Sequence, residues 1–564
     1  MGKLQKSKSS GSTILVMLIV FVIVLAGAAL TSRWGKSDKT DTAASAGERL
    51  ESLYKKIKVT TAEPIKGQID LDPVDLASSL PEITKYPVYV ENTTDTYVEI
   101  FSSPEKAGEG RDGWLNEVAR DFNQAGIKVN GKTASVRIVN IASGTAKDYI
   151  ISRKHIPDGF TPSSELWGEI VKAGGIPIER ITPRLAGNVP GIVISNAKYE
   201  QLMQNYGAVN VKTITEAVAN SELAMGYTDP FASSTGLNFL LTALHAFDSG
   251  NLLGEAAVRG FEQFQANVPF VASTTLQMRE AATSGVLDAF VLEYQTFQNE
   301  AELKVTYKFV PFGVRHDNPL YAVGDISQDK KDILKAFAEF ALRPEYQAKA
   351  TEYGFNALDD YKPDVPMAEG EVIGAAQKLW KEKKNAGRPI SAVFVTDVSG
   401  SMAGEPIRRM KESLLAGQKV LGRENRIGLV SYSSTVTINL PIAQYDTNQQ
   451  SLFVGAVESL QEGGGTATFD AIVVAIKMLQ EDLQQHPNNK PVIFVLSDGE
   501  TTEGLSLSQV RDLIAEYQIP IYTIGYNANI EALKEISSIN EAASINADTD
   551  DVVYKISNLL NVQM

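Results

Sequence analysis

Four strand-like stretches in the last third of the chain, two of them wholly apolar and most ending in small residues, constrain its folding more than any other feature. Ala392-Val393-Phe394-Val395 runs straight into Thr396-Asp397-Val398-Ser399-Gly400-Ser401-Met402. Ile427 to Tyr432 is the second stretch. Val492 to Leu496 ends in Ser497-Asp498-Gly499, and Ile519 to Ile524 ends in Gly525. Strands that are apolar on both faces belong inside a parallel sheet covered by helices. Helical patterns from Ile407 to Leu421 and from Asp470 to Leu483 supply that cover. Residues 388–564 are therefore predicted to form a doubly wound, Rossmann-like α/β domain. Ligands of such sheets bind beyond the carboxyl ends of the strands, which is where the polar residues cluster.

Three loops at that edge offer oxygen and nothing else: Asp397, Ser399 and Ser401 on one, Thr466 on the second, Asp498 on the third. Hard oxygen donors with room for water suit a small octahedral cation. The alternation in Asp397-x-Ser399-x-Ser401 lets one loop turn several oxygens toward one point. Neutral hydroxyls leave a cation electron-poor enough to accept a further carboxylate. In order, Asp397-x-Ser399-x-Ser401, Gly464-Gly465-Thr466 and Asp498-Gly499 resemble the von Willebrand factor A domain. The resemblance covers residues 388–564 and implies a metal-ion-dependent adhesion site. Its ligands would be Asp397, Ser399, Ser401, Thr466 and Asp498, holding Mg2+ (or Mn2+ or Ca2+), with an acidic residue of a partner protein completing the shell.

Rival chemistries lack residues they need. A haloacid-dehalogenase-type phosphatase requires a second Asp where Ser399 stands. Gly463-Gly464-Gly465-Thr466 lacks the lysine of a P-loop. Val398-Ser399-Gly400-Ser401 lacks the first glycine of a serine-hydrolase elbow, and His486 sits in a turn-like His486-Pro487-Asn488. With no general base identifiable beside a nucleophile, the chain reads as a binding protein and not an enzyme.

Upstream, residues 87–356 alternate strand and helix patterns, which implies an α/β domain with mainly parallel strands. They resemble the type II periplasmic solute-binding fold, two lobes around a cleft. The segment from Tyr227 to Gly236, containing Asp229, Ser233, Ser234 and Thr235, looks like a binding and hinge loop entering a helix. Ser102, Ser103, Ser143, Thr145, Ser273, Thr274 and Thr275 occupy comparable strand-to-helix turns, where hydroxyls and free N–H groups suit an oxyanion or other small ligand. The competing reading is that each merely caps a helix. Glu293 would point into the cleft and disfavour an anion. Residues 357–387 are read as a helical linker.

Lys3, Lys6 and Lys8 precede an uncharged apolar run from Ile14 to Leu30. The expectation is a cytoplasmic tail over 1–12 and a single transmembrane helix over 13–31, with the bulk of the chain outside the cytoplasm. Ala26-Gly27-Ala28 also fits a signal-peptide cleavage site. Residues 32–86 read as a linker region. A net charge of −15 argues against nucleic acid as a partner. The absence of cysteine excludes disulfides and thiolate zinc sites. The expected function is a membrane-tethered extracytoplasmic binding protein whose metal site captures a partner protein, while the solute-binding-like domain senses or presents a small ligand. The alternatives are a solute receptor of a transport system and a metal-dependent accessory subunit.

Overall fold

The computed structural model describes residues 46–69, 76–268, 270–272, 278, 287–385, 388–499, 501–526, 536–537, 544–547, 556, 559–560 and 564. The apolar run from Ile14 to Leu30 lies outside them, as do Ser273, Thr274 and Thr275. Among the described residues no helix is long and apolar enough to cross a membrane.

The terminal domain is built on a seven-stranded sheet. Its strands are β1 (Val59–Thr61), β2 (Ile390–Asp397), β3 (Arg426–Tyr432), β4 (Val436–Gln444), β5 (Lys490–Ser497), β6 (Ile521–Tyr526) and β7 (Ser544–Ala547), in the order β1-β4-β3-β2-β5-β6-β7. All eight residues of β2 are buried, as a continuous apolar strand at a sheet centre should be. It pairs in parallel with β3 and β5. Alternate side chains serve opposite faces. Ala392 and Phe394 enter a core with Met410, Leu414, Phe453 and Val457. Val393 and Val395 enter another with Ile472, Val473, Ile476 and Leu513. The covering helices are α3 (Glu405–Gly417), α4 (Thr447–Glu458), α5 (Thr468–Gln485) and α6 (Leu507–Tyr517). Neither β4 nor α4 was legible in the sequence. β4 is a half-buried antiparallel strand of mixed residues following Ser433-Ser434-Thr435.

The expected linker over 32–86 needs correction, because its described part belongs to folded domains. Helix α1 (46–54) sends Leu50 and Leu53, with Ile57 after it, into the core that holds Val393 and Val395. Glu51 pairs with Lys477 of α5, and Arg49 pairs with Glu516 of α6 at 3.3 Å. β1 then adds a parallel strand to β4, Val59 opposite Val436. An open sheet edge exposes unpaired N–H and C=O groups, and β1 covers that of β4. Further along, Leu80 joins the solute-binding-like core, and Pro81 O accepts a 2.6 Å bond from Tyr149 OH.

The preceding domain has two lobes. One carries a six-stranded sheet with Tyr97–Ser102 and Ser135–Asn140 near its centre; the other carries a five-stranded sheet around Ala289–Glu293 and Pro190–Ser195. The expectation of mainly parallel strands is only half met. Pro190–Ser195 runs antiparallel to both of its neighbours, and Leu320–Val323 runs antiparallel to both of its own. A strand buried on both faces reads as a continuous apolar run even where it pairs antiparallel, as Pro190–Ser195 does, so its composition pointed to the commoner, parallel arrangement. Two helices, Gln328–Ala341 and Pro344–Glu352, close the domain.

The 357–387 linker is also corrected. Its helix α2 (Gly370–Lys383) buries Ile373, Ala376 and Trp380 in the core that both lobes share. A Cβ on Gly370 would come within 2.2 Å of Glu169 O on the first lobe. Gln377 Nε2 donates to Pro230 O at 2.8 Å, and Trp380 Nε1 to Tyr227 OH at 2.6 Å, both on the second lobe. The helix is therefore a clasp across the lobes.

Candidate metal site and inter-lobe cluster

β2 ends on Asp397, whose side chain is fully buried at the sheet rim. Its Oδ1 accepts the Ser399 N–H at 2.8 Å. Its Oδ2 accepts Ser497 Oγ at 2.6 Å and Tyr432 OH at 3.4 Å. Burial and the neighbouring Asp397 charge hold the Tyr432 phenol well above its ordinary pKa, so it stays a donor. Ser401 Oγ donates to Asp498 Oδ1 at 2.9 Å. That spends the Ser401 hydrogen, so across the 3.0 Å contact Ser399 Oγ donates to Ser401 Oγ.

The Thr466 loop is stitched to the same rim through its backbone. Gly463 N–H donates to Val398 O at 2.8 Å, and Gly400 N–H to Gly464 O at 3.0 Å. Thr466 N–H donates to Thr502 Oγ1 at 3.0 Å, and Thr466 O accepts the Thr502 N–H at 2.9 Å. Gly464 sits at φ +86°, where a side chain is strained, and a Cβ there would lie 3.0 Å from Ser434 Oγ. Four of the five expected ligands thus form one directly linked cluster of donors and acceptors, and Thr466 stands on the adjoining, tied loop.

Burial raises the Asp498 carboxyl; the Ser401 hydrogen bond opposes that, and the charge of Asp397 adds to it. Two carboxylates and three hydroxyls on one rim are a donor set that a small divalent cation fits. Among the described residues no three His, Cys, Asp or Glu side chains form a metal cluster. The site departs from that pattern because hydroxyls stand where further carboxylates would. Ser497, Tyr432, Ser434 and Thr502 escaped the sequence reading. Ser497 immediately precedes Asp498-Gly499, and Tyr432 ends an apolar strand, which are the only signals the sequence held.

The cleft residues behave differently. Ser233 caps its helix, accepting the Gly236 N–H at 3.4 Å and Thr228 Oγ1 at 2.9 Å. Asp229 Oδ1 accepts the Phe231 N–H at 2.8 Å. Ser234 Oγ accepts Trp167 Nε1 at 2.8 Å, a bond that joins the lobes. Ser143 Oγ accepts the Ser163 N–H at 3.4 Å, and Thr145 lies buried on the same helix. Ser102 is buried with no hydrogen-bond partner for its hydroxyl among the described residues, and the same holds for Thr161 beside it in the sheet.

Glu293 and Thr235 meet at 3.5 Å. Asn188 also donates to Glu293. Asn238 Nδ2 donates to Val314 O at 2.6 Å and lies 3.1 Å from His316 Nε2. Donating there too, it leaves the ring proton on Nδ1, which donates to Glu293 Oε1 at 3.0 Å.

The residue most plainly missed is Lys106, fully buried, with its ammonium donating to Ser103 Oγ at 2.6 Å and Thr161 O at 2.8 Å. Burial pulls its pKa down, against the pull of Glu105 and Glu293. Burial and then the Glu293 charge push the Glu105 carboxyl up. The inter-lobe cluster therefore sets carboxyl groups beside an amine, with burial favouring the neutral forms of Glu105 and Lys106.

Residues 392–559 match the family model of the von Willebrand factor type A domain, and residues 107–356 that of the bacterial extracellular solute-binding protein. The inter-alpha-trypsin inhibitor heavy chain H1 of Sus scrofa is 30% identical over 166 residues, 28% of this chain and 18% of that protein. The chain thus spans under a fifth of that relative. Among solved structures, a von Willebrand factor type A protein from Catenulispora acidiphila is 16% identical with a TM-score of 0.29, covering 31% of this chain and 42% of that one. A periplasmic thiamin binding protein is 10% identical with a TM-score of 0.39, covering 52% of this chain and 99% of that one.

Proposed function

We propose that this chain, which joins a bacterial extracellular solute-binding domain to a von Willebrand factor type A domain, is a non-catalytic binding protein that captures a partner's carboxylate at the β2 rim. The observation that carries this reading is the linked cluster of Asp397, Ser399, Ser401 and Asp498. Asp397, Ser399, Ser401, Thr466 and Asp498 would hold a divalent cation, Mg2+ or Mn2+, some of them through water. Such a cation supplies an electrophilic position that a carboxylate of the partner can fill. Ser497 and Tyr432 orient the Asp397 carboxylate, as partners behind metal ligands generally do. The apolar run from Ile14 to Leu30 tethers the protein, with the described domains outside the cytoplasm.

Calorimetric titration of the full chain with Mn2+ tests the site. Wild type is expected to bind. Asp397→Ala and Asp498→Ala are expected to lose more than about 100-fold in affinity with thermal unfolding still cooperative. Equal binding in all three overturns the ligand assignment.

The same proposal gives the two-lobed domain a sensing or presenting role for a small solute. The carboxyl and amine groups of Glu105, Lys106 and Glu293 at the lobe junction support a polar solute over a simple anion.

A further inference from the structure

The segment between α1 and the solute-binding domain reaches the metal rim through one helix. After β1, Ala62 N–H donates to Ile438 O at 3.0 Å and the chain runs on to α4. There Gly67 N–H donates to Ser451 O at 2.8 Å, and Ser451 Oγ donates back to Gly67 O at 2.7 Å. The approach is as close as backbones allow. A Cβ on Gly67 would come within 2.4 Å of Val454 Cγ1 and 2.6 Å of Gly455 N; one on Gly455 would come within 2.2 Å of Ile65 O. The other face of α4 puts Phe453 and Val457 into the sheet core, so the helix is gripped from both sides. Past its end, buried Leu460 leads to Gly463 and Gly464, whose backbones bond Val398 and Gly400 beside the expected ligands.

We propose that residues 57–69 form a strap that sets the height of α4 and, through it, the placement of the Thr466 loop against Ser399 and Ser401. Gly67, Ser451 and Gly455 are then positioning residues for cation binding, although none is a ligand. This rests on the metal reading above.

The test is Mn2+ titration of the full chain, with the Kd read by calorimetry and the bound-ion signal by electron paramagnetic resonance, alongside the melting temperature without metal. Gly67→Val, which cannot be seated against Gly455, is expected to weaken Mn2+ binding roughly 3- to 30-fold and to alter the bound-ion signal, the range of couplings carried through packed elements. Ser451→Ala, which keeps the backbone contact, is expected to weaken it about 2-fold. A purely structural strap would lower the metal-free melting temperature of Gly67→Val and leave its Mn2+ Kd at the wild-type value; that result overturns the inference while the metal reading stands. If wild type and Asp397→Ala alike fail to bind Mn2+, the metal reading falls and the strap inference with it.

Discussion

The rim of the terminal sheet and the junction of the two lobes are both rich in buried hydroxyls and carboxylates, yet they use them in opposite ways. At the rim the hydroxyls of Ser399 and Ser401 link to Asp498, and the Asp397 carboxylate is held by Ser497 and Tyr432. At the junction the hydroxyls of Ser233 and Ser234 are taken up by a helix cap and by Trp167, while Glu293 is held by Asn188, His316 and Thr235. Oxygens converging from loops of one sheet can leave room for an ion. Oxygens facing each other across two lobes satisfy one another first, because a buried polar group without a partner costs about 1–3 kcal/mol.

That contrast can be broken by crossing the two sites. Glu293→Gln turns an amide toward three donors, so we expect a loss of about 2 kcal/mol in unfolding free energy by urea titration, with Mn2+ affinity unchanged. A change in Mn2+ affinity would join the two sites and end the comparison. Ser497→Ala removes one of the two donors to Asp397 Oδ2 and leaves Tyr432, and Mn2+ binding is expected to fall about 10-fold with little change in stability.

A further effect concerns charge at the domain border. Lys384, at the end of α2, is buried, and burial lowers its pKa to about 7; Asp229, Lys381, Glu424 and Lys490 face it. The folded protein thus releases this proton before the unfolded chain does. Stability gained from the deprotonated form grows as pH rises from about 7 toward the unfolded value of 10.5. Lys490, lowered to about 8, adds in the same direction. Urea midpoints measured at pH 7 and pH 9 should rise with pH in wild type, and rise less in Lys384→Met. An identical rise in both assigns the effect elsewhere.

Much of the terminal domain was legible because its signals are local. Ala392 to Val395 can only be a doubly covered strand, and the turn after it carries three of the five expected ligands within five residues. β1 was not legible, since Val59-Thr60-Thr61 is too short to show any period and its partner is distant in sequence. The helix of α2 was visible, but its role was not. A linker helix and a clasp have the same amphipathic pattern, and only the neighbours of Trp380 distinguish them. Lys106 was invisible for a related reason. A lysine in a helical turn is ordinarily solvated, and its burial depends on strands that arrive much later in the chain.

The pairing of β1 with β4 also fixes an order of events at the ribosome. Thr60 and Val436 lie 376 positions apart. At roughly 5–20 residues per second, an interval of about 20–75 seconds separates their synthesis. Through that interval Leu50, Leu53 and Ile57 have no core to enter, while the whole two-lobed domain can emerge and compact. A segment translated early is thus among the last to find its seat, its apolar side uncovered until β4 exists.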